Sequence, residues 1–105
     1  MEEEIMKLGI LVNTDRHLEH IAGITKAAVS RGYEVIIFSM DEGTKLLSNS
    51  DFSELSKLQG VQMSFCGLNA KLLGVPADGI PEEIVDGSQY DNALMHHNSD
   101  KVIVL

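Results

Sequence analysis

Four short runs in the chain are apolar almost throughout instead of alternating: "IMKLGILV" (residues 5–12), "YEVIIFSM" (33–40), "VQMSF" (61–65) and "KVIVL" (101–105). A strand with one wet face alternates, whereas a strand covered on both faces reads as a continuous apolar run. Such strands belong to parallel sheets wrapped by helices. The intervening segments have helical character. After the first run come three cap-forming residues, Asn13, Thr14 and Asp15. Leu18, Ile21, Ala22, Thr25, Ala28 and Val29 then recur at three- and four-residue spacing, and Gly32 closes the segment. Strand, helix, strand in that order implies a parallel pair joined by a right-handed crossover.

The same reading extends along the chain. "DEGTKLLSNSDFSELSKLQG" is read as a polar loop with helical turns at 44–47 and 51–58, the second capped by Ser50 or Asp51. "GLNAKLLG" is a short helix stopped by Gly74 and Pro76. In "VPADGIPEEIVDGSQ" the breakers Pro76, Gly79 and Pro81 leave Ile80, Ile84 and Val85 as either a helical turn or a short edge strand. "SQYDNALMHHNS" reads as a helix with Tyr90, Ala93, Leu94 and His97 on one face. With no linker, low-complexity tract or internal repeat, residues 1–105 are expected to form one α/β domain, a three-layer sandwich with a mainly parallel sheet.

A chain of 105 residues buries about 60 to 70% of its unfolded surface in a single core and needs no staples. Its 8 basic against 16 acidic residues leave a formal charge of -8. That balance repels phosphate backbones and anionic lipid, so neither nucleic acid nor a membrane is an expected partner. No segment approaches the roughly 18 continuous apolar residues of a membrane helix. The opening Glu2, Glu3 and Glu4 lack the basic-then-apolar order of a secretory leader and read as a solvated end. One cysteine cannot form an internal disulfide. Together these features lead to the expectation of a reducing, cytoplasmic setting.

That one cysteine, Cys66, falls where "VQMSF" gives way to "GLNAKLLG". In open parallel sheets, ligands and reactive groups collect beyond the carboxyl ends of the strands. The residues expected on that rim are Asn13, Thr14 and Asp15, then Ser39, Met40 and Asp41, then Cys66 and Gly67. Unpaired N–H groups at a helix start favour an ionised sulfur beside them, and the thiolate is the nucleophile. Gly67 would keep the approach open, and Lys71 adds positive charge if it folds back. The competing reading is equally physical: free cysteine is among the most buried residue types, and at a strand end it often only packs.

Other constellations are weaker. His17 with His20, and His96 with His97, form no recognised ligand spacing, so no metal is expected. Asp15 and Asp41 are better explained as helix caps than as proton acceptors. Met1, Met6, Met40, Met63 and Met95 are scattered and read as core or edge filler. Gly9 lies inside the first strand, and the turn after it, "NTDRH", has no glycine. Neither nucleotide-binding glycine motif is present, and no cofactor is expected.

Three segments carry a resemblance to a known family. "RGYEVIIFSMDEGTKLL" resembles the second-strand signature of the DsrE/DsrF-like (YchN-like) sulfur-relay family, in which an apolar strand precedes a Gly and an apolar pair. "FCGLNAKLLGV" resembles its cysteine segment, and "IVDGSQY", a helix and "SDKVIVL" are similar to its ending, most of all in small peroxiredoxin-like accessory members. Leu73 stands where many members carry a basic residue. The resemblance implies a YchN-like fold, a homo- or hetero-oligomer, often a trimer or hexamer and here expected as a homo-oligomer, and a persulfide carried on Cys66. Gly67, Asn69, Lys71, Asn13 and Asp15 are secondary site candidates, Asp15 because similar members have an acidic residue there. With no second cysteine, sulfur would arrive from and leave to the thiol or persulfide of partner proteins. The alternative is a non-catalytic oligomeric binding or assembly subunit with an inert Cys66.

Overall fold

In the computed structural model, residues 5–105 are described. The expectation about Glu2, Glu3 and Glu4 lies outside them. The five strands found there are β1 (Lys7–Val12), β2 (Glu34–Ser39), β3 (Val61–Cys66), β4 (Ile84–Gly87) and β5 (Lys101–Val104). They form one sheet in the order β4-β3-β2-β1-β5, and every pair is parallel. The uncertain residues Ile84 and Val85 thus belong to an edge strand. Ile5 and Met6 precede β1 and are exposed.

Topology distributes the helices. From β1 to β4 the chain steps one strand at a time in a single direction, so right-handed crossovers put all three connections on one face. They are α1 (Leu18–Ser30), then a 3₁₀ helix at Asp41–Ser48 with α2 (Ser50–Ser53) and a second 3₁₀ turn at Glu54–Lys57, then α3 (Gly67–Leu72). From β4 the chain returns across the sheet to β5, and the same handedness places α4 (Gln89–Asn98) on the other face. Among the described residues one face therefore carries three connections and the other a single ten-residue helix.

The cores follow. On the thick face, Ile10, Val12, Val35, Ile37, Met63 and Phe65 pack against Ile21 of α1 and against Leu47, Phe52 and Leu55. On the thin face the buried set is Phe38, Cys66 and Met95, with Leu11, Ile36, Met40 and Val102 packed around it. Period-two alternation along the strands sends neighbours to opposite cores: Phe65 to the thick one, Cys66 to the thin one.

Local chemistry explains the element ends. Gly32 and Gly74 have φ of 81° and 71°, and both close a Schellman motif. After α1, Tyr33 and Gly32 donate to Ala28 and Val29; after α3, Val75 and Gly74 donate to Ala70 and Lys71. Three expectations are corrected. α1 begins at His17 without a side-chain cap, and Thr14 Oγ1 instead donates to the Leu105 carbonyl. α2 is capped by Asn49, whose side chain accepts from the Asp51 N–H, and not by Ser50 or Asp51. The segment read as a polar loop is a packed layer, because Leu46, Leu47, Phe52 and Leu55 all reach the core.

Tyr90, Ala93, Leu94 and His97, the residues read as sharing one face of α4, are all exposed. Met95 is its buried residue, whereas Tyr90 and Leu94 are exposed. The cause lies on β1: Met95 Sδ and Ser99 Oγ stand 2.5 and 2.6 Å from where a β-carbon on Gly9 would be. A glycine in that strand lets the helix seat Met95 against the sheet.

Candidate functional site

The carboxyl ends of the strands form the rim on which the sequence places its candidates. β2 hands over to the 3₁₀ helix through Met40 and Asp41. Met40 N–H extends the ladder to the Val12 carbonyl at 2.9 Å, and Asp41 takes a φ of 47°, a left-handed conformation that short polar residues tolerate. Two residues on, Gly43 is pressed against the end of β1 so closely that a β-carbon would collide with the Val12 carbonyl oxygen. Ser39 Oγ donates to the Gly43 carbonyl at 2.7 Å and fastens the turn from within.

Asn69 completes this junction. Its Oδ1 accepts the Asp41 N–H at 2.9 Å, joining α3 to the left-handed turn. Its side-chain oxygen therefore ties α3 to the start of the 3₁₀ helix. Lys71, on the same helix, is exposed and forms no ion pair among the described residues.

Cys66 ends β3 and is the residue from which α3 begins, with extended φ and ψ of -79° and 106° and no capping hydrogen bond from its side chain. It is 4% exposed. Its side chain belongs to the thin-face core with Phe38 and Met95. Since Ser39 pairs with Phe65 and Cys66 with Gly87, Met40 flanks Cys66 on one side and Gly87 on the other. Gln89, in the first turn of α4, donates its side-chain amide to Met40 Sδ at 3.9 Å.

The open approach expected at Gly67 is occupied. Asp86 Oδ1 sits where a β-carbon of Gly67 would lie, so the start of α3 already has a carboxylate against it. Asp86 is the residue that sequence reasoning missed. Had residues 84–87 been assigned as a strand, the same carboxyl-end rule that singled out Cys66 would have put Asp86 on the rim.

Asn13 and Asp15 follow β1, which β2 separates from β3, so they stand two strand spacings, about 10 Å, from the cysteine row. Asp15 is exposed, and its charge acts on Lys45. The Lys45 ammonium has its pKa raised first by its hydrogen bond and charge pairing with Glu42 and more weakly by Asp15. The structure thus brings together Cys66, Gly67 and Asp86 at the head of α3 and Asn69 with Asp41 beside it, and leaves Asn13, Asp15 and Lys71 apart. His17 and His20 lie edge to face with ring centres 6.0 Å apart, and among the described residues no three His, Cys, Asp or Glu side chains converge as metal ligands.

Compared with known proteins, the chain matches no protein-family description and no curated protein. Solved structures do resemble it. The YchN protein from E. coli superposes with a TM-score of 0.72 over 97% of this chain and 100% of that one, at 12% identity. MTH1491 of Methanobacterium thermoautotrophicum, described as a protein of unknown function, superposes with a TM-score of 0.74 over 95% and 99%, at 16% identity. Identities this low speak for architecture alone. With all five strands parallel, helices on both faces and near-complete superposition on both proteins, this chain has the YchN-like (DsrE/F-like) α/β fold.

Proposed function

We propose that this protein is a sulfur carrier that holds a persulfide on Cys66. The observation that carries the reading is the position of the sole cysteine: it ends β3 on the carboxyl rim of a parallel sheet, where the chain passes into α3. The YchN-like fold and the resemblance of "FCGLNAKLLGV" to the cysteine segment of sulfur-relay proteins support it. In the first step the Cys66 thiolate attacks the outer sulfur of a donor persulfide, R–S–SH. The donor S–S bond breaks, R–S⁻ leaves, and Cys66 becomes Cys–S–SH. In the second step an acceptor thiolate attacks that outer sulfur, and the Cys66 thiolate is released. No electron is gained or lost overall and no cofactor takes part. Because Cys66 is 4% exposed, each transfer requires the chain above it to open, and Met40, which accepts from Gln89 in the first turn of α4, is part of that cover.

Intact mass after incubation with a persulfide donor tests this. The wild type is expected to gain one sulfur atom that Cys66→Ser does not gain, and a wild type that gains none refutes the carrier role.

One observation favours a second reading, a non-catalytic binding or assembly subunit: Cys66 is packed with Phe38 and Met95, and the helix start beside it is matched by Asp86. In that case the native thiol reacts with iodoacetamide orders of magnitude more slowly than the urea-unfolded chain at the same pH, and it never becomes persulfidated.

A further inference from the structure

On the thin face α4 leaves part of the sheet bare. The bare part is a groove of about 510 Å³ whose floor includes Ile36, Ser64 and Val85 and whose wall includes Leu94 and Met95 of α4. Val85 is 55% exposed and Leu94 38%, high values for two aliphatic residues lining one groove. Glu83 and Asp91 are its charged residues. No Lys or Arg occurs between Lys71 and Lys101, a stretch that contains Asp78, Glu82, Glu83, Asp86, Asp91 and Asp100. The groove leads toward the sulfur. Alternation along β3 puts Ser64 and Cys66 on the same face, about 7 Å apart along the strand. On β4, Val85 pairs with Ser64 and Gly87 with Cys66. Met95 belongs both to the wall of the groove and to the core that holds Cys66.

We propose that this groove docks a basic, aliphatic segment of a partner protein, its apolar side chains against Val85 and Leu94 and its lysines or arginines beside Glu83 and Asp91. Charge selects the occupant. In a chain of net charge -8, carboxylates at an apolar groove repel nucleic acid, anionic lipid and acidic protein surfaces. They steer a basic segment to the groove, where the aliphatic contacts then anchor it. That the partner is a donor or acceptor of sulfur rests on the carrier reading of Cys66. The preference of the groove for a basic segment does not.

A seven-residue peptide of alternating lysine and valine, titrated into the isotope-labelled intact protein and followed by amide NMR, tests the proposal. The amides of Ser64, Val85 and Leu94 are expected to shift while those of α1 stay in place, and binding is expected to weaken as salt rises from about 0.01 to 0.15 M. Glu83→Lys is expected to weaken binding at least about ten-fold, and Val85→Ser several-fold. Glu19→Lys changes the net charge by the same amount but lies on α1, on the other face of the sheet, and is expected to leave binding within about two-fold of the wild type. All three positions are exposed, and unchanged circular dichroism verifies that the variants fold. A peptide that fails to bind overturns the proposal, as does one that binds Glu83→Lys and Glu19→Lys alike. So does equal binding of the peptide with glutamate in place of lysine. Resonances of Val85 and Leu94 that move with chain concentration instead of with peptide mean that a second copy covers the groove, and they overturn it too. Because docking needs no sulfur transfer, each of these results leaves the mass test of the carrier role standing.

Discussion

Two glycines show how much one missing β-carbon decides here. At Gly43 the space is filled by the backbone carbonyl of Val12, which cannot rotate away. Gly43→Ala is therefore expected to lower stability by about 2–3 kcal/mol, the upper part of the range for overpacking, read as a fall in the urea midpoint at unchanged m-value. At Gly74 nothing lies within 4 Å, and only the φ of 71° opposes a side chain. Gly74→Ala should cost about 1 kcal/mol, from backbone strain alone. Equal losses in the two variants would contradict this separation of contact from conformation. Cys66 is decided the same way, by register: one position earlier in β3 it would have faced the thick core, as Phe65 does.

Among the elements, α4 matters most to that cysteine, because Met95 lies in the thin core and Gln89 of the first helical turn donates to Met40 at its margin. Its start is well specified. Ser88 Oγ accepts the Tyr90 N–H, and Asp91 Oδ2 accepts the Ser88 N–H at 2.9 Å, a reciprocal capping box. Ser88→Ala is expected to reduce stability by about 1 kcal/mol. The same variant should raise the iodoacetamide rate of native Cys66, since the first turn of α4 frays before the sheet does. An alkylation rate equal to that of the wild type would show that access to the sulfur runs elsewhere. The inward side of α4 was not legible from spacing: the helix offers Tyr90, Ala93, Leu94 and Met95 to either side, and the choice of Met95 follows from the room left by Gly9 on another strand. The end of α1 was legible, because Gly32 needs only its own chain to close a Schellman motif.

At the scale of the whole molecule, the sheet order predicts a gradient of local stability. β1 and β2 are paired on both sides and carry Ile10, Ile37 and Phe38 with no exposure, whereas β4 and β5 are edges of four residues each. Native-state hydrogen exchange is expected to be slowest at the amides of Ile10 and Ile37 and markedly faster at Val85 and Val104. Uniform protection across all five strands would contradict a sheet that frays from its edges. What the sequence determined by itself was the alternation of doubly buried strands with helices, the parallel pairing that follows, the glycine helix ends and the location of Cys66 at the close of β3, since each depends on residues adjacent in the chain. Tertiary structure alone decided that Asp86 reaches the head of α3, that Asn69 serves the turn at Asp41, and that Cys66 lies under a single helix. The reason is the return from β4 to β5: its length and handedness send α4 across the opposite face, and no local spacing encodes which strands lie beneath it.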